Sequence, residues 1–193
     1  MYKLCKTEQS ASRQRMLEEG LLDAMCSRHY DEINISDLCD QLGVPRKSFY
    51  RYFTGKDGAL RALLDHTLME YESFALMTGA GERRTVQRDL EHFFLFWYDK
   101  KRLLDALKRS ALSSMLIDRA IVHALSETVM PKRFLPHDTK EMQEQVIAFS
   151  ISGLLSMVMS WHSTGYCQPP KKMAEVAIRL LSQPLFPDVG RYV

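Results

Sequence analysis

Apolar residues in this chain recur at intervals of three and four, and no sustained two-residue alternation interrupts them. Leu17, Leu21, Ala24 and Met25 form one stripe and predict a first helix over roughly residues 9–28. Leu60, Leu63, Leu64, Thr67, Leu68 and Tyr71 form a second stripe, and Val86, Leu90, Phe93, Phe94 and Trp97 a third. Between the periodic runs, "TGAGERR" (Thr78 to Arg84) and "MPKRFLPHD" (Met130 to Asp138) read as loops. "STGYCQPPKK" ends one long helix at Gly165 and starts another after Pro170, and "SQPLFPDVG" closes the last one. The pattern predicts an all-α fold of about nine helices, short in the first third of the chain and long after it. A boundary near Lys56 divides it into residues 1–56 and 57–193, with the helix that follows Lys56 bridging the two parts.

The densest signals lie in "NISDLCDQLGVPRKSFYRYF", Asn34 to Phe53. Asn34 suits an N-cap, because its side-chain oxygen can accept from a free N–H of the first turn. Asp37 follows three residues later, where its carboxylate can reach back in the manner of a capping box and meets the positive end of the helix dipole. Leu38, Cys39 and Leu42 supply the buried face. Gly43 ends the helix where a left-handed residue is needed, Val44 plugs the crossing, and Pro45 opens a new helix at its first position. The result is a helix-turn-helix. In the second helix Phe49 and Phe53 are one turn apart and face the core, which turns the remaining side chains outward. Between Gly43 and Lys56 there are basic residues (Arg46, Lys47, Arg51, Lys56) and no acidic one. Arg or Lys on a helix in a major groove can bond guanine, while Tyr hydroxyls and Lys amines suit phosphate oxygens. Taken alone, such a helix is equally a solvated face of an ordinary helical protein. A capped helix, a Gly-Val-Pro turn and an acid-free second helix in succession favour the DNA reading.

Charge and composition narrow the picture. Basic residues number 26 and acidic residues 24, so any basic surface is local and the chain as a whole is not a general polyanion binder. The cysteines are Cys5, Cys26, Cys39 and Cys167, none at C-x-x-C spacing, and no apolar run of signal-peptide length stands near the N-terminus. The expectation is free thiols in the cytoplasm, with a redox-sensing cysteine left open. "VIAFSISGLLSMVMSW" is broken by serines and a glycine and reads as a core or interface helix, not a membrane span.

Leu17 to Leu64 resembles the N-terminal DNA-binding domain of the TetR/AcrR transcriptional regulators. That family carries a Thr-Val-x-x-Ile-Ala helix start, a Gly-Val-Ser turn, a Leu-Tyr-x-His-Phe recognition helix and a Lys-x-x-Leu entry to the fourth helix. Here "NISDLCDQLGVPRKSFYRYFTGKDGAL" fills that frame, with Pro45 for the usual Ser or Thr, Tyr52 for His, Asn34 for Thr, and His29 for a glycine that often ends the first helix. The resemblance implies that Arg46, Lys47, Ser48 and Arg51 face bases and that Tyr50, Tyr52 and Lys56 hold phosphates. It implies a homodimeric, ligand-responsive regulator, more often a repressor, acting on a near-palindromic double-stranded operator.

It also implies an effector-binding and dimerisation part. Ser152, Ser156 and Ser160 recur every four residues and allow close helix approach; Val158, Met159, Trp161, Ile178, Leu180 and Leu181 add apolar surface. A buried monomer core explains these positions as well. Phe93, Trp97 and Met115 are the candidate walls of a pocket for a small apolar effector, and plain core is the competing reading. No nucleophile elbow, P-loop, zinc-protease motif or dinucleotide fingerprint occurs. The histidines are scattered, and Glu18-Glu19 and Glu141 with Glu144 read as solvated faces. The expectation is no catalysis, no cofactor and no metal. A helical protein-interaction adaptor, meeting an acidic partner through the basic helix, is the alternative.

Overall fold

A computed structural model describes residues 2, 5, 7–78, 85–126 and 139–182. The loop readings at 79–84 and "MPKRFLPHD", and the close of the last helix after Ser182, lie outside the described residues. The described residues form nine α-helices and one 3-10 turn. They are α1 (Glu8–Ser27), the 3-10 turn (Tyr30–Glu32), α2 (Ile35–Gln41), α3 (Arg46–Tyr52), α4 (Lys56–Thr78), α5 (Val86–Asp99), α6 (Lys101–Arg109), α7 (Ser113–Leu125), α8 (Lys140–Ser163) and α9 (Pro170–Ser182). The all-α expectation and the helix count hold.

Two compact units divide the chain, one of Met1–Glu70 with Arg102–Ser152, the other of Tyr71–Lys101 with Gly153–Val193. The expected boundary near Lys56 thus falls inside the first unit, at the start of α4. In that unit Leu17, Leu21 and Met25 of α1 pack with Leu38, Phe49, Phe53, Leu60 and Leu64 as fully buried side chains. Gly20 permits the approach of α2: a Cβ there would lie 2.5 Å from a terminal methyl of Leu42. The second unit is aromatic. Phe94 meets Trp161 edge to face at 5.8 Å, and Tyr98 and Tyr166 pack around the same indole. α9 lies on α5, where Ala174 and Ala177 are buried.

Candidate nucleic-acid interface

The helix-turn-helix is built as its local chemistry dictates. Asn34 Oδ1 accepts from the Asp37 N–H at 2.8 Å and caps α2. Asp37 does not reach back to a backbone N–H; its carboxylate accepts from the Asn34 side-chain amide. The reciprocal capping box lies one element earlier, where His29 caps the 3-10 turn and the Glu32 carboxylate accepts from the His29 N–H at 3.2 Å. Gly43 is left-handed at φ +63°, and the Val44 N–H bonds the Cys39 carbonyl at 2.9 Å across it. Pro45 is the N-cap of α3, one position before the expected one, and Leu42 is half-buried.

Phe49 and Phe53 are buried, 5.1 Å apart between ring centroids, and they anchor α3 by one face. Arg46, Lys47, Tyr50 and Arg51 are exposed and Ser48 is half-buried, so these side chains line an outer face with no carboxylate of its own. Two of the named residues are placed differently. Tyr52 is 5% exposed, packs against Phe53, and accepts from Ser10 of α1 at 3.4 Å. Its periodicity put it outward; its position at the last turn, facing α1, puts it inside. Lys56 is half-buried and donates to the carbonyl oxygens of Tyr30, at 2.5 Å, and Ile33, at 2.8 Å. It also lies 4.3 Å from the centre of the Tyr30 ring. Beside it, Thr54, Gly55, Lys56, Asp57, Gly58 and Arg61 line an open cleft at the N-terminus of α4.

Several structural residues escaped the sequence reading. Tyr30 donates its hydroxyl to Asp57 at 2.7 Å, and its N–H bonds Ser110 at 3.0 Å. Burial, then the Asp57 carboxylate, pushes the phenol far above its ordinary range, so it stays a donor. Glu18 is not a solvated face: it is 1% exposed, accepts from Gln14, and sits 2.7 Å from His66 Nδ1. Asp65 is 4% exposed and takes both prongs of Arg119, at 2.6 and 2.7 Å. The usable signal was a break in the stripes: Gln14 and Glu18 stand on the same face as Leu17 and Leu21, and Asp65 stands next to Leu64 and Leu68.

Elsewhere, Phe93 and Trp97 of α5 are buried, in the second unit, and Met115 of α7 is half-buried, in the first. Trp97 is 1% exposed and its indole N–H has no hydrogen-bond partner. Of the residues named for dimerisation, Val158 and Trp161 are buried within the chain itself, and Trp161 donates to the Gln168 carbonyl at 2.9 Å. Ser152, Met159 and Ile178 are half-buried; Ser156 and Leu181 are exposed. A continuous exposed stripe runs along α8 through Met142, Val146, Phe149, Gly153, Ser156 and Ser160. α8 is the one described helix long and apolar enough to cross a membrane by length and composition. Cys39 is fully buried and desolvation holds its thiol up, whereas Cys167 is exposed. No cluster of metal-ligating side chains occurs among the described residues.

No family model matches the chain. Over 88 residues it is 28% identical to the HTH-type transcriptional regulator EthR of Mycolicibacterium smegmatis. That match covers 44% of this chain and spans only 37% of the relative's length. A tetR-family transcriptional regulator from Streptomyces coelicolor superposes with a TM-score of 0.52 at 20% identity, over 88% of this chain and 78% of that one. The TetR family repressor AlkX from Dietzia sp. strain DQ12-45-1b, implicated in biodegradation of n-alkanes, gives 0.53 at 14% identity, over 85% and 90%. At these identities the structures establish the fold. The chain is thus similar in sequence, over part of its length, to one helix-turn-helix transcriptional regulator, and it shares over nearly all of its length the all-helical fold of TetR-family regulators.

Proposed function

We propose that the chain is a DNA-binding transcriptional regulator that acts as a homodimer and is released or engaged by a small effector. The observation that carries this reading is the outer face of α3: Arg46, Lys47, Tyr50 and Arg51 exposed, held rigid by Phe49 and Phe53 beneath. Arg46, Lys47, Ser48 and Arg51 would meet base edges in a major groove, and Tyr50 would meet phosphate. The first-turn N–H groups of α4 favour a further phosphate. Lys56 supports that contact by fixing the 3-10 turn and the start of α2, more than by its own charge. Tyr52 sets the angle of α3 on α1.

In this reading residues 1–56 are the DNA-reading part and residues 57–193 serve effector binding and dimerisation. Within the second unit, the exposed small residues Gly153, Ser156 and Ser160 of α8 and the exposed Val176, Leu180 and Leu181 of α9 suit a second copy. A membrane is the poorer occupant, because Gly153, Ser156 and Ser160 dilute the stripe and Lys140, Glu141 and Glu144 open the helix. The aromatic wall of α5 suits an apolar effector, and the unpaired Trp97 N–H asks for one hydrogen-bond acceptor on it. A neighbour implicated in n-alkane biodegradation fits an apolar ligand class. No step in this reading is catalytic, and it places the protein in the cytoplasm, with repression the more common sign.

Selection of duplexes from a random-sequence pool by the full chain tests it. The expected product is a near-palindromic motif with half-sites about one helical turn or more apart. Recovery of unrelated sequences, with binding that disappears as salt rises, would favour the adaptor with an acidic partner.

A further inference from the structure

Tyr2 is held to the end of α3 by a backbone bridge and to α4 and α7 through the buried carboxylate of Asp65. Tyr2 forms an antiparallel bridge with Phe53, the residue that closes α3. Its hydroxyl donates to Asp65 Oδ2 of α4 at 2.9 Å. The two oxygens of Asp65 also receive Nε and Nη2 of Arg119 on α7, so its charge is met from two sides. The Tyr2 ring stands edge-on to His66 at 6.0 Å, and His66 is bound to Glu18, which accepts from Gln14. Cys5 donates to that same Gln14 at 2.7 Å. Tyr2 therefore engages the Asp65–Arg119 pair of α4 and α7, and Cys5 engages the Gln14–Glu18–His66 chain of α1 and α4, with the Tyr2 ring against His66 between the two sets.

Resting on the regulatory reading above, we propose that Tyr2 straps the end of α3 to Asp65, and that Tyr2 and Arg119 are positioning residues for α3. α3 has seven residues and no side-chain cap at its N-terminus, so its own hydrogen bonds hold it weakly. Phe49 and Phe53 fix it by one face, and the bridge to Tyr2 adds a backbone hold at its C-terminal end. Buried Asp65 is stable only with its donors in place. A shift of α7 that draws Arg119 away leaves the carboxylate to Tyr2 and alters the hold on Phe53. The position of α7 is thereby read at the end of the helix that carries Arg46 and Arg51, by a route additional to the continuous backbone of α4.

Tyr2→Phe in the full chain tests the strap, since it keeps the ring and the bridge and removes one hydroxyl. Amide hydrogen exchange over residues 49–53 should quicken roughly three- to tenfold, while the amides of Leu17 to Met25 keep their protection. Arg119→Lys, which keeps the charge and loses the two-pronged geometry, should reproduce part of the effect. On a duplex selected by the wild-type chain, Tyr2→Phe should bind roughly three- to tenfold more weakly with an unchanged salt slope, because no phosphate contact is lost. Exchange over 49–53 equal to wild type, or quickened equally throughout α1, would overturn the strap whatever DNA does. Local quickening in a chain that selects no duplex would uphold the strap and defeat the regulatory reading instead.

Discussion

Lys56 Nζ directs its hydrogen bonds to the carbonyl oxygens of Tyr30 and Ile33, and its charge lies against the Tyr30 ring. A free phosphate ligand on the surface would have left those carbonyls to other donors. Lys56→Ala should therefore cost about 1–3 kcal/mol of folding stability in a denaturant titration, by leaving two acceptors of the turn unmet. Arg46 is the opposite case, exposed and without a partner carboxylate on its helix. Arg46→Ala should leave the melting temperature unchanged and cost ~1–3 kcal/mol on a selected duplex, with sequence choice relaxed at one position. The difference between these two lysine- and arginine-type positions was not visible in the sequence. Both are basic residues in an acid-free stretch, and what separates them is a turn more than twenty residues upstream. The same limit applies to Asp65 and Arg119, to Tyr2 and Asp65, and to Glu18 and His66, whose separations of 54, 63 and 48 residues carry no local signal.

At the scale of elements, legibility was high wherever the determining contacts are local. The Asn34 cap, the left-handed Gly43 and the paired Phe49 and Phe53 each depend on neighbours within five residues, and each stands where the pattern put it. Gly43→Ala should lower stability by about 1 kcal/mol through backbone strain alone, since a Cβ there meets nothing within 4 Å. A thermal melt of that variant measures it. The long helices were read well in extent and less well in facing. In α8 the serines at four-residue spacing suggested one face, whereas the exposed stripe follows alternating steps of four and three from Met142 to Ser160. Val158 and Trp161 are apolar because they are core, and Ser152 is half-buried. An apolar residue on a helix hydrophobic over most of its circumference gives no sign of whether its own subunit or a partner covers it.

For the whole molecule, the all-helical architecture followed from periodicity, and the likeness to TetR-family regulators from the helix-turn-helix residues and the fold together. The proposed dimerisation is argued from surface: Leu180 is 44% exposed and Leu181 50%, side by side on α9 with exposed Val176 one turn away. Leu180→Glu with Leu181→Asp should give a folded monomer by sedimentation, with operator affinity lost because two half-sites no longer engage together. The central claim is that the α3 face reads duplex sequence. Its most direct measurement is the ratio of affinities, at one fixed salt concentration, for a selected duplex and a scrambled one of equal length. The account predicts a ratio on the order of a thousand or more for the wild-type chain, reduced about tenfold or more by Arg46→Ala. A ratio near one for the wild-type chain, unmoved by Arg46→Ala, would contradict it.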